Sequence, residues 1–340
     1  MKNRFFQRFA ITTLLMVVTG WAYAQKPQMA PMREISLPQY DTGPGEFPLG
    51  YIEDPYKPEN LRPGYRPSKL LDTPPAAFNW RDNSPVGVTA IRDQNPHGTC
   101  WIFGTLASFE GAVKLNENPV PEPDFSERDI GEGNPSGNWD GGNTRIAANH
   151  LMRYASILES DRAYAGGAPS TVPIANYWNP PAGTPQLTVK EWHDLGDLDQ
   201  IGDVDTLKQF IYDNGPVTAS MSVATVNSWD SNFNTGLWDG TKCVPYLPTS
   251  NPTDHCVCIV GWDDNKVHEG GGDTGAWLVR NSWGTSWSSA EGGYFWIAYG
   301  SARMGANAAY FPLSSYEDYN AEETLLHYDE FGCFGGMGWG

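Results

Sequence analysis

The stretch RDQNPHGTCWIFGTLASFEGAVKL, Arg92 to Leu115, sets a cysteine directly ahead of a strongly apolar helical pattern. Ile102, Phe103, Leu106, Phe109 and Val113 recur with a period near 3.6. That spacing predicts one buried face of a helix of about four turns, ended at NENP. Cys100 then stands at the helix start, where free N–H groups and the helix dipole favour a thiolate over a thiol. The 340 residues hold five cysteines, at positions 100, 243, 256, 258 and 333. An odd count leaves at least one thiol unpaired within a monomer, so this is no disulfide scaffold. A cysteine kept for its reactivity fits that count.

The composition frames the segment. Hydrophobic residues make up 40%, and 14 Trp accompany 37 Gly and 27 Pro. This describes a well-packed, loop-rich fold rather than a helical bundle or a disordered chain. The formal net charge of −18 argues against nucleic acid as a partner. It reads as solubility outside the cytoplasm or, more sharply, as attraction of basic polypeptides. Lys2, Arg4 and Arg8, the apolar run FAITTLLMVV and the small-x-small site Ala22-Tyr23-Ala24 form an export signal. Residues 1–24 are therefore expected to be removed, leaving Gln25 first in a secreted or periplasmic protein. No later apolar run reaches 18 residues, so no membrane span is expected. Residues 25–74 are Pro-punctuated and carry neither helical nor strand periodicity, which predicts an extended, mostly nonhelical leader. The globular region begins near Pro75, at PPAAFNWRD.

Beyond the Cys100 segment, NTRIAANHLMRYA reads as a second helix. DVDTLKQFIYDNG reads as a third, with Asp203 or Asp205 as N-cap and Gly215 closing it. The acidic run HDLGDLDQIGDVD around it lacks the ligand spacing of a calcium loop and reads as solvated loop. PVTASMSV, HCVCIVGW, GAWLVRNSW and GGYFWIAYG then read as strands. Helices followed by strands define an α+β fold, with the helices grouped against an antiparallel sheet.

The same strands supply partners for the thiol. His255 opens a strand, a rigid place from which to aim an imidazole, and Asn281 follows another strand with an amide able to orient it. Gln94, six residues before Cys100, offers side-chain N–H groups that can join the Cys100 N–H around a developing oxyanion. Cys256 and Cys258 suggest a metal, but alternation puts both on the strand face opposite His255, and they read as small core residues. No metal or cofactor is required.

Gln94 with GTCW, DHCVCIVGWDD and AWLVRNSWGTSW together resemble the papain family of cysteine peptidases. FNWRD resembles the start of the family's mature domain, and FSERDI its Ser-Glu helix start. The likeness spans about Pro75 to Tyr310. It implies a two-lobed fold, helical in its N-terminal lobe and an antiparallel sheet or barrel in its C-terminal lobe, with the active site in the cleft between them. It implies a Cys100–His255–Asn281 site with Gln94, acting on a polypeptide substrate through an acyl-enzyme. WDGGN resembles the glycine pair whose backbone aligns substrate, implying that role for Gly141 and Gly142. Ser220 and Thr253 are implied as pocket residues, and Trp283 as the cover of the Asn–His contact. The same residues would serve an exopeptidase or acyl transferase, and an inactive peptide-binding protein would keep the fold alone.

Several features depart from the family pattern. His97 and Trp139 stand where a disulfide pair is common, so that staple is expected to be absent. His255 follows Cys100 by 155 residues and Asn281 by 181, against about 130–150 in the family. Insertions are therefore expected, one of them the loop DDNKVHEGGGDT. The leader is shorter and richer in Pro than the family's helical inhibitory prodomain. After Tyr310, LLHYDEFG resembles the opening of the lectin-like domain that follows the peptidase in some bacterial relatives. Residues 311–340 thus read as a tail that begins such a domain, with carbohydrate contact once completed. The alternative is a natively packed tail pinned by a Cys243–Cys333 disulfide.

Overall fold

The computed structural model describes residues 45–54, 74–117, 119, 121–134, 140–164 and 183–321. The expected export signal, much of the leader, Trp139 and Cys333 lie outside the described residues.

Three helices come first. α1 (Cys100–Glu117) carries the nucleophile candidate at its first position, followed by α2 (Glu127–Glu132) and α3 (Thr144–Tyr154). Local chemistry sets their starts: the Ser126 hydroxyl accepts from Asp129 N, and the Asn143 side chain accepts from Ile146 N. Each such cap is worth about 1 kcal/mol. α1 differs from its one-faced reading, because it is buried on every side from Cys100 to Val113. Its polar residues face partners rather than water: Thr105 Oγ1 donates to Trp101 O, and Ser108 Oγ donates to Pro216 O. Glu110 accepts from Thr89 Oγ1 and Phe125 N. A helix buried all round needs that satisfaction, since an unpaired buried polar group costs about 1–3 kcal/mol.

The eight-stranded sheet is ordered β3-β9-β4-β6-β7-β8-β5. Its members are β3 (His193–Gly196), β4 (Val217–Met221), β5 (Cys243–Val244), β6 (His255–Val267), β7 (Thr274–Arg280), β8 (Tyr294–Ala298) and β9 (Ala306–Tyr310). The short β1 (Ala77–Asn79) pairs with β6 off this path. All pairs are antiparallel except β5 with β8, so the sheet is mixed rather than purely antiparallel. A parallel neighbour needs a crossover, which the intervening β6–β7 hairpin supplies. The expected inserted loop from Asp263 to Thr274 is shorter than expected, because β6 continues to Val267 and β7 begins at Thr274. Gly270, Gly271 and Gly272 then turn the hairpin at positive φ.

α4 (Val204–Asn214) ends at Gly215, whose φ of 97° is open to glycine and whose N–H returns to Ile211 O. Asp203 holds the cap position, but its carboxylate accepts instead from Gln200 N in the preceding turn. α5 (Val223–Trp229) follows β4 directly.

Two cores result. One packs α1 and α3 with Phe125, Ile130 and Phe311, and the other fills the sheet around Trp262, Trp277, Trp287 and Phe295. The chain beyond Tyr310 returns to the helical side, where β10 (Tyr316–Asp318) pairs with β2 (Leu187–Val189). The N-terminus of α1 and the start of β6 meet along the seam between the cores.

Candidate active site

The turn before α1 is closed by His97 N to Gln94 O and Thr99 N to His97 O. It delivers Cys100 as the first helical residue, fully buried. β6 begins at His255, in register with Met221 of β4. Asn281 follows directly after β7, whose register with β6 pairs Arg280 with Cys258. His255 Nε2 lies 2.8 Å from Asn281 Oδ1. That oxygen also accepts from Ser282 N at 2.8 Å, so it is an acceptor and Nε2 carries the proton. Nδ1 is then the lone-pair nitrogen, buried and without a partner among the described residues. The Trp283 ring stacks on the imidazole at 4.5 Å, shielding its contact with Asn281.

Gln94 is fully buried. Its Oε1 accepts from Ser282 Oγ at 2.7 Å, and its Nε2 donates to His97 O. The second Nε2 hydrogen points out to a carbonyl, Pro48 O, at 3.0 Å. Pro48 falls within residues 25–74, the stretch expected to be a leader.

Residues Glu46 to Asp54 run beside the site, with Glu46 bridging to Thr235 and Tyr51 to Gly142. Phe47 also stacks on Trp283, at 5.3 Å. Gly50 N and Tyr51 N both donate to Asp254 O, while Gly142 N donates to Gly50 O and Ile52 N to Gly142 O. Tyr51 pairs with Gly142 in the parallel sense. Glu53 Oε1 accepts from Thr253 Oγ1 and from Arg303 Nη1, and Asp54 pairs with Arg145. The backbones approach so closely that a Cβ on Gly50 would lie 1.8 Å from Gly98 O.

Every residue that the family likeness implied for substrate contact touches this segment, and so does Trp283. Gly142 exchanges two backbone bonds with it, Gly141 faces Ile52, Ser220 meets Tyr51, Thr253 meets Glu53 and Trp283 meets Phe47. Asp254, Ser282, Arg145, Arg303 and Asn307 were not foreseen. Asp254 contributes its carbonyl, while its carboxylate accepts from Val223 N and Ala224 N at the start of α5. Nothing in the periodicity of the chain marked it, although it stands beside His255.

The covered site is electrically quiet. Burial, with the neighbouring Cys256 and Asp254 groups, pushes the Cys100 thiol well above its ordinary range. Burial also pulls His255 down to about 4, against the opposing effect of its Asn281 bond. Both groups are neutral at pH 7 in this state, whereas the helix start alone suggested a thiolate. Water exclusion outweighs the helix terminus, because a charge without solvent costs more than the dipole returns. Cys256 and Cys258 are buried structural thiols raised in the same way, Cys256 to about 11. Among the described residues Cys100, Cys243, Cys256 and Cys258 are all free. None joins a group of three or more potential metal ligands.

The chain belongs to the papain family of cysteine proteases, whose family model matches residues 74–312. Cysteine proteinase 3 of Entamoeba histolytica is 29% identical over 232 residues, covering 68% of this chain and 65% of that protein. Human cathepsin O is 26% identical over 269 residues, covering 78% and 72% respectively. The cysteine protease and lectin-like domains of Cwp84, a surface layer associated protein of Clostridium difficile, superpose with a TM-score of 0.56 at 22% identity. That match covers 74% of this chain and 54% of that one, and it speaks to the fold alone.

Proposed function

We propose that this chain is an exported cysteine endopeptidase, held closed by its own leader until the cleft is vacated. The observation that carries the reading is the His255–Asn281 bond, which protonates Nε2 and leaves Nδ1 as a buried base beside the helix that begins at Cys100. Nδ1 takes the Cys100 proton, and the thiolate attacks the scissile carbonyl carbon. Gln94 Nε2 and the Cys100 N–H hold the oxyanion. The C–N bond then breaks as His255 returns the proton to the leaving amine, and water hydrolyses the thioester. In this reading Pro48 O marks the place of the oxyanion.

Cleavage within chains, rather than trimming from an end, is favoured by the passage of Glu46–Asp54 through the cleft with backbone continuing at both sides. The sequence pattern of residues 1–24 supports export. The test is to remove the leader and compare internally quenched peptides with end-labelled ones. Turnover of the quenched peptides, its loss in Cys100→Ala and epoxide labelling of Cys100 are expected. Undiminished turnover in Cys100→Ala would overturn the assignment, and cleavage of end-labelled peptides alone would overturn the endopeptidase reading.

A further inference from the structure

Tyr51 is 2% exposed: its backbone lies against Asp254, its ring joins the buried cluster of Trp101, Ile146 and Cys256, and its side chain reaches Ser220. What lies at the pocket floor is an unusually well-defined acceptor. Ser220, itself fully buried, donates its hydroxyl proton to Ala306 O at 3.0 Å. Asn307 Nδ2 donates to the same oxygen at 2.9 Å. With its proton committed and one lone pair filled, Ser220 Oγ has a single capacity left, which is to accept. A side-chain hydrogen bond links Tyr51 with Ser220, and with the Ser220 proton committed to Ala306 O the phenol is the partner that donates.

The geometry is built into the backbone. β9 pairs Thr218 with Ala309 but Ser220 with Ala306, an irregularity that inserts an extra residue on β9. Asn307 sits in this bulge at φ 47°, a left-handed conformation that Asn tolerates better than most residues. Its own N–H is held by Asp197 Oδ1 at 3.0 Å. A bulge re-aims side chains, and here it turns the Asn307 amide back to Ser220.

We propose that Ser220, oriented by Asn307 and Ala306, makes this pocket a reader of the phenol hydroxyl, so that the substrates are polypeptides presenting tyrosine in preference to phenylalanine. The inference rests on the peptidase reading above. Phenylalanine fills the same volume but leaves the Ser220 acceptor facing a ring edge. One neutral hydrogen bond corresponds to about 2- to 12-fold in binding or rate.

Two measurements test it. With the leader removed, matched quenched peptides differ only in Tyr against Phe at one of the four positions before the cleaved bond. One position is expected to show a kcat/KM ratio of about 2 to 12 for Tyr over Phe, falling to near 1 in Ser220→Ala. Equal rates at all four positions would overturn the proposal, as would a ratio that Ser220→Ala leaves intact. The second measurement needs no turnover. In the full chain with leader in place, Tyr51→Phe should speed alkylation of Cys100 by a similar factor, and this gain should vanish in the Ser220→Ala background. An inactive protein that still shows this coupling would sink the peptidase reading while upholding the pocket. An active protein without coupling or Tyr preference would sink the pocket alone.

Discussion

Replacing Gly50 by Ala should open the cleft. The added Cβ would lie 1.8 Å from Gly98 O, 2.2 Å from Gly98 C and 2.8 Å from Gly98 Cα. All three are backbone atoms of the turn that delivers Cys100, so no flexible side chain can swing aside. The leader must back away by over about 1 Å to reach an ordinary contact, which pulls two bonds past useful length. These are Gly50 N to Asp254 O, already 3.3 Å, and Gly142 N to Gly50 O at 3.0 Å. At about 0.5–1.5 kcal/mol each, their loss amounts to about 1–3 kcal/mol, or about 5- to 150-fold in the open fraction. The assay follows labelling of Cys100 by a trace thiol-directed epoxide in full chain whose retained leader is verified by intact mass. Gly202→Ala is the control, since a Cβ there meets nothing within 4 Å. A Gly50→Ala rate within twofold of the unsubstituted chain would refute the view that backbone proximity at Gly98 holds the leader.

Gln94→Ala should lower kcat by about 10²–10³ after leader removal, the scale for one lost oxyanion donor, and a loss below about threefold would make Gln94 a structural residue only. Asn281→Ala should cost about 10²-fold in kcat with little change in KM, because the imidazole loses its aim; steady-state kinetics separate the two. Burial alone would raise Glu53, but the Thr253 N–H, the Arg303 guanidinium and the Thr253 hydroxyl together hold it below its ordinary value. A lowered carboxylate contributes to docking above the free-carboxylate pKa and loses that contribution as pH falls through the bound value. Glu53→Gln should therefore label at Cys100 about 2- to 5-fold faster than the unsubstituted chain near neutrality, with the ratio converging to 1 in acid; a pH-independent ratio would contradict this.

Much of the candidate site was legible in the chain because it depends on local order. A helix start at Cys100, a strand start at His255 and a strand end at Asn281 follow from periodicity and from Gly and Asn punctuation, and short-range capping makes such boundaries sharp. The family motifs carried the pairing of these residues across the seam. The strand β5, the continuation of β6 to Val267 and the full burial of α1 escaped that reading, since each depends on partners distant in the chain. So did the occupant of the cleft. The bonds from Gly50 to Gly142, Glu53 to Arg303 and Tyr51 to Ser220 join residues that no local period relates. Tertiary packing also decided the charge state. The N-terminus of α1 favours a thiolate, yet Cys100 and His255 are fully buried, and their desolvation outweighs that preference and keeps the pair neutral.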